Sequence, residues 1–290
     1  MSETAAYTPR RSVLYMPSSN ARALDKAKTL PVDALILDLE DAVGPDEKPA
    51  AREAACAAVR SGEYGERELT IRVNGIGTQW HDEDIAAASQ AGPHGIVVPK
   101  VNTADEVRQL VAAMEAAGAP EHTKLWAMIE TPAAIFNIRE IAQASDRLVA
   151  FVLGTNDLVK ELQAAHVPGR TPLITSLSLA LLAGREAGIA VLDGVYNAVK
   201  DLEGFTAECE QGRDMGFDGK TLIHPGQVEV CNSTFAPSEA AVEEAKGVLQ
   251  AWEDGAGKGV VTHNGKMIEN LHVDIARRVL ATHEAISARS

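Results

Sequence analysis

Short apolar runs alternate with helical stretches along most of this chain, and the alternation constrains its fold more than any other feature. The run Leu125–Ile129 shows no regular polar alternation, as expected of a parallel strand buried on both faces. Pro132, which follows it, suits the first turn of a helix. Eight such units occur in order, with strands predicted to begin at Ser12, Asp33, Leu69, Gly95, Leu125, Leu148, Ile189 and Phe217. This order predicts an α/β protein folded as a (β/α)8 TIM barrel.

The C-terminal segment differs from the repeated units. Ser238 predicts the start of a helix, the glycine-rich stretch 255–259 predicts a flexible joint, and a second helix follows from about Ile268. We therefore expect the barrel to occupy residues 1–235 and a C-terminal helical extension, or lid, to occupy 236–290. An arm on a joint of this kind can close a site or cross to a neighbouring subunit.

Two carboxylates follow neighbouring predicted strands at their carboxyl ends. Glu130 comes directly after Leu125–Ile129, and Asp157 follows the next apolar run, 148–153. Active sites of parallel α/β proteins form at this edge, where the ends of the strands meet. For either residue alone a structural role is the better interpretation, and Asp157 could simply cap the helix that follows. The pair of carboxylates favours a divalent metal site.

An acidic cluster follows the second predicted strand, and an arginine lies within the third. Asp38, Glu40 and Asp41 fall within four positions, after an apolar run that argues against full exposure. We expect a metal-bound water shell or an arginine to neutralise them. Arg72 needs a partner, because its charge cannot be removed. Two interpretations of Arg72 are equally open: an ion pair with the acidic cluster that serves stability alone, and a guanidinium that faces an anionic substrate oxygen.

Two further segments each allow a structural and a functional interpretation. Asn20 suits the cap of the first predicted helix, and the amides at that helix start, with Lys26, could hold a phosphate. A plain capped helix is the simpler interpretation of this segment alone. His224, which precedes Pro225 at the end of the eighth strand, is explained equally well as a substrate ligand and as a structural residue.

Composition and charge narrow the class of partner. The chain has 290 residues and a net charge of −14, which argues against nucleic acid or an anionic membrane as the main partner. An anionic substrate would then need a local metal ion or arginine. The N-terminal residues lack an apolar signal core, and no run approaches the roughly 20 apolar residues of a membrane span. The three cysteines have no metal-ligand spacing, so we expect a reduced, cytoplasmic location.

Seven short motifs occur in an order that covers nearly the whole chain. They are Leu14–Pro17, Leu37–Val43, Ile71–Gly75, Val98–Lys100, Ile129–Thr131, Gly154–Leu158 and Ile223–Gln227. Each motif is weak alone, but the ordered set is specific. On these motifs the chain resembles the HpcH/HpaI aldolase and citrate lyase β-subunit-like family, close to the malyl-CoA and citramalyl-CoA lyases and to malyl-CoA thioesterase.

The resemblance implies a cofactor, a set of ligands and an assembly. Glu130 and Asp157 are expected to hold Mg2+, with Mn2+ as the alternative, and Arg72 to contact the acyl oxygens of a substrate that carries coenzyme A. The implied substrate and coenzyme A contacts also include Tyr15, Asn20, Lys26, Glu130, Asn156, Ile223 and His224. The family commonly has an arginine where this chain has Asn20. The resemblance further implies a trimer or a dimer of trimers, in which the C-terminal arm caps the site of a neighbouring subunit.

The implied activity is that of a Mg2+-dependent lyase. It would cleave the carbon–carbon bond of a 3-hydroxy-dicarboxylyl-CoA, such as malyl-CoA, methylmalyl-CoA or citramalyl-CoA, to an acyl-CoA and an α-keto acid. The first alternative is a (3S)-malyl-CoA thioesterase on the same scaffold, in which water attacks the thioester. The second is a citrate lyase β-subunit that docks an acyl-carrier protein, and the long C-terminal arm argues against it.

The candidate catalytic residues are Arg72, Glu269, Glu40 and Asp41. Arg72 would stabilise a developing enolate oxygen. Glu269 stands where the lyases of this family usually carry an aspartate, their proposed acid/base, which a neighbouring subunit delivers. A displacement of about 1 Å can cost roughly 100-fold in such proton transfers, so the longer side chain predicts either a shifted arm or relatively more hydrolysis. The structural alternative is an exposed glutamate in the first turn of a helix.

Overall fold

The computed structural model describes residues 7–255 and 260–289, and its central element is a closed barrel. The strands are β1 (Ser12–Pro17), β2 (Ala34–Asp38), β3 (Glu68–Arg72), β4 (Gly95–Val98), β5 (Lys124–Ile129), β6 (Leu148–Leu153), β7 (Ala190–Asp193) and β8 (Gly219–Leu222). Each strand pairs in parallel with its successor, and β8 pairs in parallel with β1. The predicted (β/α)8 barrel is confirmed.

Helices follow the strands in alternation. They are α1 (Ala21–Ala27), α2 (Lys48–Ser61), α3 (His81–Ala91), α4 (Ala104–Ala116), α5 (Pro132–Phe136), α6 (Ile138–Ala142), α7 (Thr155–Glu161), α8 (Ile174–Ala187), α9 (Leu202–Met215) and α10 (Val228–Phe235). Shorter 3-10 helices span Pro45–Glu47, Pro168–Leu173 and Pro225–Gln227. Helix α5 begins at Pro132, shortly after β5 ends at Ile129, because Thr131 caps it and Pro132 suits its first turn. None of the helices in the described part of the chain is long and apolar enough to cross a membrane.

Strand β2 is shorter than the apolar run that predicts it. The two carboxylate oxygens of Asp38 accept hydrogen bonds from the amides of Glu40, at 2.9 Å, and of Ala42, at 3.1 Å. These bonds turn the chain away from the sheet, so β2 ends at Asp38. Glu40 and Asp41 therefore lie in the loop at the carboxyl end of the barrel.

A tightly packed apolar cluster fills the barrel. Its fully or almost fully buried members are Val13, Ala34, Ile36, Val97, Trp126, Met128, Ala150, Val152 and Leu192. Each large side chain buried in this way contributes about 1.5–3 kcal/mol to stability. Trp126 fits only because β4 begins with Gly95, where a Cβ atom would lie 2.8 Å from the indole Nε1. The cluster supports the strand ends that carry the polar residues described below.

The chain divides into two compact units: residues 10–232 contain the barrel, and the other unit combines residues 7–9 with the described residues from 233 onward. The C-terminal unit contains α11 (Glu239–Asp254), the antiparallel strands β9 (Val261–His263) and β10 (Lys266–Ile268), and α12 (Asn270–Ser287). Its core consists of Ala245, Val248, Ile268, Val273 and Ala276. Most of the predicted glycine-rich joint, residues 256–259, lies outside the described residues.

Candidate active site

The carboxyl ends of the barrel strands surround a cavity of about 290 Å3. Tyr15 of β1, Arg72 of β3, Glu130 after β5 and Asp157 of α7 contribute to its walls. A second cavity, of about 620 Å3, adjoins the first, because Asp41 lines both. The structure therefore brings to one place candidate residues that lie far apart in the sequence.

Arg72 is buried and is held by the acidic cluster after β2. Its Nε and Nη2 donate to the two carboxylate oxygens of Asp38, at 2.6 and 2.7 Å, in a bidentate pair. Its Nη1 lies 2.8 Å from Glu40 Oε2 and 3.5 Å from Asp41 Oδ2. Burial alone would lower the pKa of Arg72, but the charge of Asp38 raises it well above its usual range. The guanidinium is therefore always charged, paired with the cluster, and fixed in orientation at the cavity wall.

Tyr15 covers the guanidinium from the β1 side. Arg72 Cζ lies 4.8 Å from the centre of the Tyr15 ring, which is a cation–π contact. The Tyr15 hydroxyl lies 4.0 Å from the sulfur of Met128. Burial raises the pKa of Tyr15 above its usual range, although the charge of Arg72 opposes this. Tyr15 therefore contributes a neutral phenol to the cavity.

Glu40 combines a charged partner with a pKa near neutrality. Burial raises the pKa of Glu40 to about 7, Arg72 opposes the shift, and Asp41 and Glu130 reinforce it. A carboxyl group with this pKa can both accept and release a proton near neutral pH. Glu40 lines the second cavity, next to the Arg72 guanidinium. It is therefore the strongest candidate for an acid/base within the barrel.

Lys48 anchors the loop that carries Glu40, and no sequence pattern singles this lysine out. Its Nζ donates to the carbonyl oxygens of Leu39 and Glu40, both at 2.9 Å. It also donates to Asn74 Oδ1, at 2.6 Å. Lys48 is buried although it begins helix α2, so its role depends on contacts with the segments after β2 and β3 that only the fold creates.

Glu130 and Asp157 approach the first cavity from adjacent β/α units. Glu130 follows β5 directly, whereas Asp157 is the third residue of α7. The interpretation of Asp157 as the helix cap is wrong, because Gly154 holds that position. A Cβ atom at Gly154 would lie 2.1 Å from Glu130 Oε2, so glycine is required for this placement of the carboxylate.

The two carboxylates repel each other. Burial raises the pKa of Glu130 to about 7, and the charge of Asp157 adds to the shift. Lys100 opposes it: its amide donates to Glu130 Oε1, at 2.8 Å, and its Nζ lies 3.5 Å from Asp157 Oδ1. A cation bound between the carboxylates would relieve the repulsion that remains.

The donor set suits a hard divalent cation. Among the residues that the structure describes, no group of three or more His, Cys, Asp or Glu side chains is arranged to hold a metal ion. Mg2+ commonly uses one or two protein carboxylates and completes its shell with water and substrate oxygens. Zn2+ prefers more nitrogen and sulfur ligands than this site offers. Glu130 and Asp157 therefore fit Mg2+ or Mn2+.

Asn20 and Lys26 occupy opposite ends of α1. Asn20 caps the helix and accepts a hydrogen bond from the Ala23 amide, at 3.1 Å. Lys26 lies in the last turn, so it does not stand with the amides at the helix start, contrary to the arrangement that we expected for a phosphate. The helix has only seven residues. Contact of either side chain with coenzyme A stays a prediction.

The other expected substrate contacts have different environments. Asn156 lines the first cavity and exchanges hydrogen bonds of 2.7 and 3.2 Å with Asn197. Ile223 also lines this cavity and is 41% exposed, which leaves an apolar surface open to a ligand. His224 Nδ1 accepts a hydrogen bond from the Gly226 amide, at 3.0 Å, as the cap of a 3-10 helix. This bond favours the structural interpretation of His224.

Glu269 lies in the C-terminal unit. It is exposed and occupies the position before the first residue of α12, where its amide donates to His272 Nδ1, at 3.0 Å. The structural alternative of a glutamate at a helix start is thus compatible with its surroundings. A catalytic role for Glu269 stays a prediction.

A second buried group of charges lies at β7 and β8, and we call it the β7–β8 cluster. Asp193 accepts hydrogen bonds from Arg170 Nη1, at 2.6 and 2.7 Å, and from Lys220 Nζ, at 2.9 Å. Lys220 also donates to Glu208, at 2.7 Å. Burial alone would raise the pKa of Asp193, but Lys220 and Arg170 lower it. This cluster was not predicted from the sequence, although a lysine inside the eighth strand is a signal comparable to Arg72 inside the third.

Comparison with known proteins adds four findings. A model of the family HpcH/HpaI aldolase/citrate lyase matches residues 11–225. Over 282 residues the chain is 49% identical to a (3S)-malyl-CoA thioesterase of Cereibacter sphaeroides, which covers 97% of this chain and 96% of the relative. It is 36% identical over 287 residues to the citrate lyase subunit beta of Escherichia coli, with coverage of 97% and 95%. The crystal structure of the protein CitE from Mycobacterium tuberculosis in complex with magnesium, acetoacetate and coenzyme A superposes with a TM-score of 0.79 at 27% identity, covering 97% of this chain and all of that one.

Proposed function

The chain belongs to the HpcH/HpaI aldolase/citrate lyase family, and on this premise we propose that it hydrolyses the thioester of a 3-hydroxy-dicarboxylyl-CoA, with (3S)-malyl-CoA as the first candidate. The observation that carries the proposal is the 49% identity, over nearly the whole chain, to a (3S)-malyl-CoA thioesterase. The cavity supports it, because a permanently charged arginine and a pair of carboxylates face the same space. The identity to a thioesterase thus favours thioester hydrolysis over the carbon–carbon cleavage that the motifs implied.

In the proposed site, Glu130 and Asp157 hold Mg2+, or Mn2+ in its place. The ion would polarise substrate oxygens and help to orient the acyl chain. The magnesium and coenzyme A in the related CitE structure support a site of this kind. Tyr15, Asn156 and Ile223 would contact the substrate, and Asn20 and Lys26 would lie towards its coenzyme A portion.

Arg72 and Glu40 are the proposed catalytic pair. Glu40, with a pKa of about 7, would accept a proton from the water that attacks the thioester carbonyl. Arg72 would donate a hydrogen bond to the oxyanion that forms, while Asp38 keeps the guanidinium in orientation. When the carbon–sulfur bond breaks, the proton returns to the coenzyme A thiolate. The products are a free carboxylic acid and coenzyme A.

Carbon–carbon cleavage is the second candidate. The 36% identity to a citrate lyase subunit beta favours it, as does the acetoacetate in the related CitE complex. In this reaction Glu269 would supply the acid/base from the C-terminal arm of a neighbouring subunit, within a trimer or a dimer of trimers. Both reactions would use the same metal ligands and Arg72, so the site alone favours neither strongly.

One incubation separates the candidates. Purified protein is mixed with (3S)-malyl-CoA and Mg2+ in water enriched in oxygen-18, and malate, glyoxylate, acetyl-CoA and free coenzyme A are quantified. Hydrolysis is expected to yield malate with one heavy oxygen and an equal amount of free coenzyme A. Equal amounts of glyoxylate and acetyl-CoA would instead establish the lyase. If neither pair forms, the proposed substrate is wrong and a carrier-bound substrate of a citrate lyase β-subunit is the next to assay.

A further inference from the structure

Lys100 contacts both proposed metal ligands, through two different groups. Its backbone amide donates to Glu130 Oε1, at 2.8 Å. Its side-chain ammonium lies 3.5 Å from Asp157 Oδ1. One residue thus holds two carboxylates that belong to different β/α units and repel each other.

The backbone of Lys100 has an unusual conformation. Its φ is +53°, in the left-handed region that residues with a Cβ atom rarely adopt. Asn102 stabilises this conformation by donating from Nδ2 to the Lys100 carbonyl, at 2.7 Å. Asn102 in turn contacts Thr131 Oγ1 and accepts from Asn137 Nδ2, at 2.9 Å. The loop after β4 is therefore tied to the segment after β5, and the amide of Lys100 is aimed at Glu130.

We propose that Lys100 is a positioning residue of the cation site: its amide fixes Glu130, and its ammonium neutralises Asp157 until a divalent ion displaces it. The proposal rests on the cation site named in the proposed function. The side chain of Lys100 is 45% exposed, so its ammonium can withdraw into solvent when another cation arrives. It also lines the second cavity, which leaves space for that movement.

Competition between the ammonium and the ion has a specific consequence. A residue that merely supports the fold of the site would weaken cation binding when it is altered. A competing charge does the opposite, because its removal leaves Asp157 free for the incoming ion. Lys100→Met keeps most of the side-chain length and the backbone amide, and it removes only the charge. Lys100→Arg keeps the charge and serves as the conservative variant.

The test measures binding of Mn2+ alone, by electron paramagnetic resonance of the free ion. Lys100→Met is expected to lower the Kd by on the order of 10-fold, because the lost repulsion is only partly screened at this distance. Lys100→Arg should stay within about twofold of the unaltered protein. Lys124→Met is the matched control: Lys124 begins β5 and lies at the opposite end of the strand that precedes Glu130. Lys124 lies about 20 Å from Glu130, which exceeds the screening length in ordinary buffer. The Kd of Lys124→Met for Mn2+ should therefore equal that of the unaltered protein.

Thermal unfolding gives a second, independent measurement. In EDTA, Lys100→Met is expected to lower Tm by about 2–4 °C, because the two carboxylates repel without compensation. Saturating Mn2+ should then raise its Tm by more than it raises that of the unaltered protein. A Kd that is unchanged or higher in Lys100→Met overturns the role of Lys100. Undiminished Mn2+ binding in Glu130→Gln and Asp157→Asn, or no binding in the unaltered protein, would instead reject the cation site itself and the proposal with it.

Discussion

Two groups of charged side chains lie on the barrel strands and the segments that follow them, and they differ in the balance of positive and negative charge. The cavity cluster has five carboxylates and two cations: Asp38, Glu40, Asp41, Glu130, Asp157, Arg72 and Lys100. The β7–β8 cluster has two of each: Asp193, Glu208, Arg170 and Lys220. The pKa of Glu40 and of Glu130 is raised to about 7, whereas that of Asp193 is lowered. Excess negative charge thus distinguishes the group that suits an added cation from the group that is complete in itself.

The largest expected effect comes from Glu130→Gln. Loss of one of two metal ligands should reduce turnover of (3S)-malyl-CoA by at least about 1,000-fold, since a bound ion supplies several kcal/mol of transition-state stabilisation. Folding should persist, because an amide of the same shape removes a repelling charge. Steady-state kinetics and circular dichroism check both statements. If Glu130→Gln keeps near-normal turnover in buffer that contains EDTA, the reaction does not depend on a metal ion held by Glu130.

Asp193→Asn should have the opposite effect: it should lower stability and leave catalysis unchanged. It leaves Lys220 and Arg170 buried with less compensation, which should lower the free energy of unfolding by about 3–5 kcal/mol. The molecules that remain folded should keep their kcat. Urea unfolding and active-site-normalised kinetics measure the two quantities. Glu203→Gln, at an exposed position in the first turn of α9, is the matched control and should change neither. A selective loss of kcat in Asp193→Asn would mean that the β7–β8 cluster serves catalysis.

Arg72→Lys should reduce kcat by roughly 100- to 1,000-fold, because an ammonium cannot reproduce the planar guanidinium. Arg72→Lys keeps the net charge of the cavity cluster, so it tests the shape of the donor group and leaves the charge balance unaltered. Initial rates at saturating substrate provide the measurement, and Tm provides the control. If Tm falls while kcat is unchanged, Arg72 serves stability alone.

The two clusters should also differ in their response to pH when no metal is present. The folded-state pKa values of Glu40 and Glu130, about 7, lie above those of the unfolded chain, so folding binds protons between about pH 4.5 and 7. Stability in EDTA should therefore fall by about 1–3 kcal/mol as pH rises from 5 to 7.5. Asp193 has a lowered pKa, so its contribution is present over this whole range and is lost only in more acidic solution.

Urea unfolding at several pH values checks this expectation. Glu130→Gln should remove part of the pH dependence, and Mg2+ should oppose it by binding the ionised form. Stability that rises between pH 5 and 7.5 in EDTA would show that neither carboxyl group has a raised pKa. The same outcome would remove the basis for Glu40 as a base near neutral pH.

The smallest expected effect concerns the C-terminal unit. Glu269→Asp should raise the ratio of carbon–carbon cleavage to hydrolysis by about three- to tenfold, because proton transfer is sensitive to the length of the side chain. Glu40→Gln should instead suppress hydrolysis. Glyoxylate and free coenzyme A, measured under identical substrate and Mg2+, report the ratio. An unchanged ratio in both Glu269→Asp and Glu269→Ala would leave the acid/base within the cavity cluster.

Much of the candidate site could be predicted from the sequence, because its residues follow strands. Glu130 comes directly after an apolar run, and the carboxyl ends of parallel strands meet at one edge. Arg72 inside a strand required an acidic partner, and the acidic cluster was the nearest candidate. The position of Asp157 in the first turn of α7 was not predicted, because β6 ends at Leu153 and Gly154, not Asp157, caps the helix.

The sequence by itself determined the order of strands and helices, since apolar periodicity, caps and prolines act over a few residues. Only the tertiary structure decided which side chains of each strand face the barrel interior and which face outward. Leu192 belongs to the barrel interior while its neighbour Asp193 faces Lys220, and this choice depends on closure of the barrel and its register. The positive φ of Lys100 likewise depends on Asn102 and on contacts across β/α units. The charge balance of each cluster depends on such long-range pairings. The excess of negative charge in the cavity cluster therefore exists only in the folded chain.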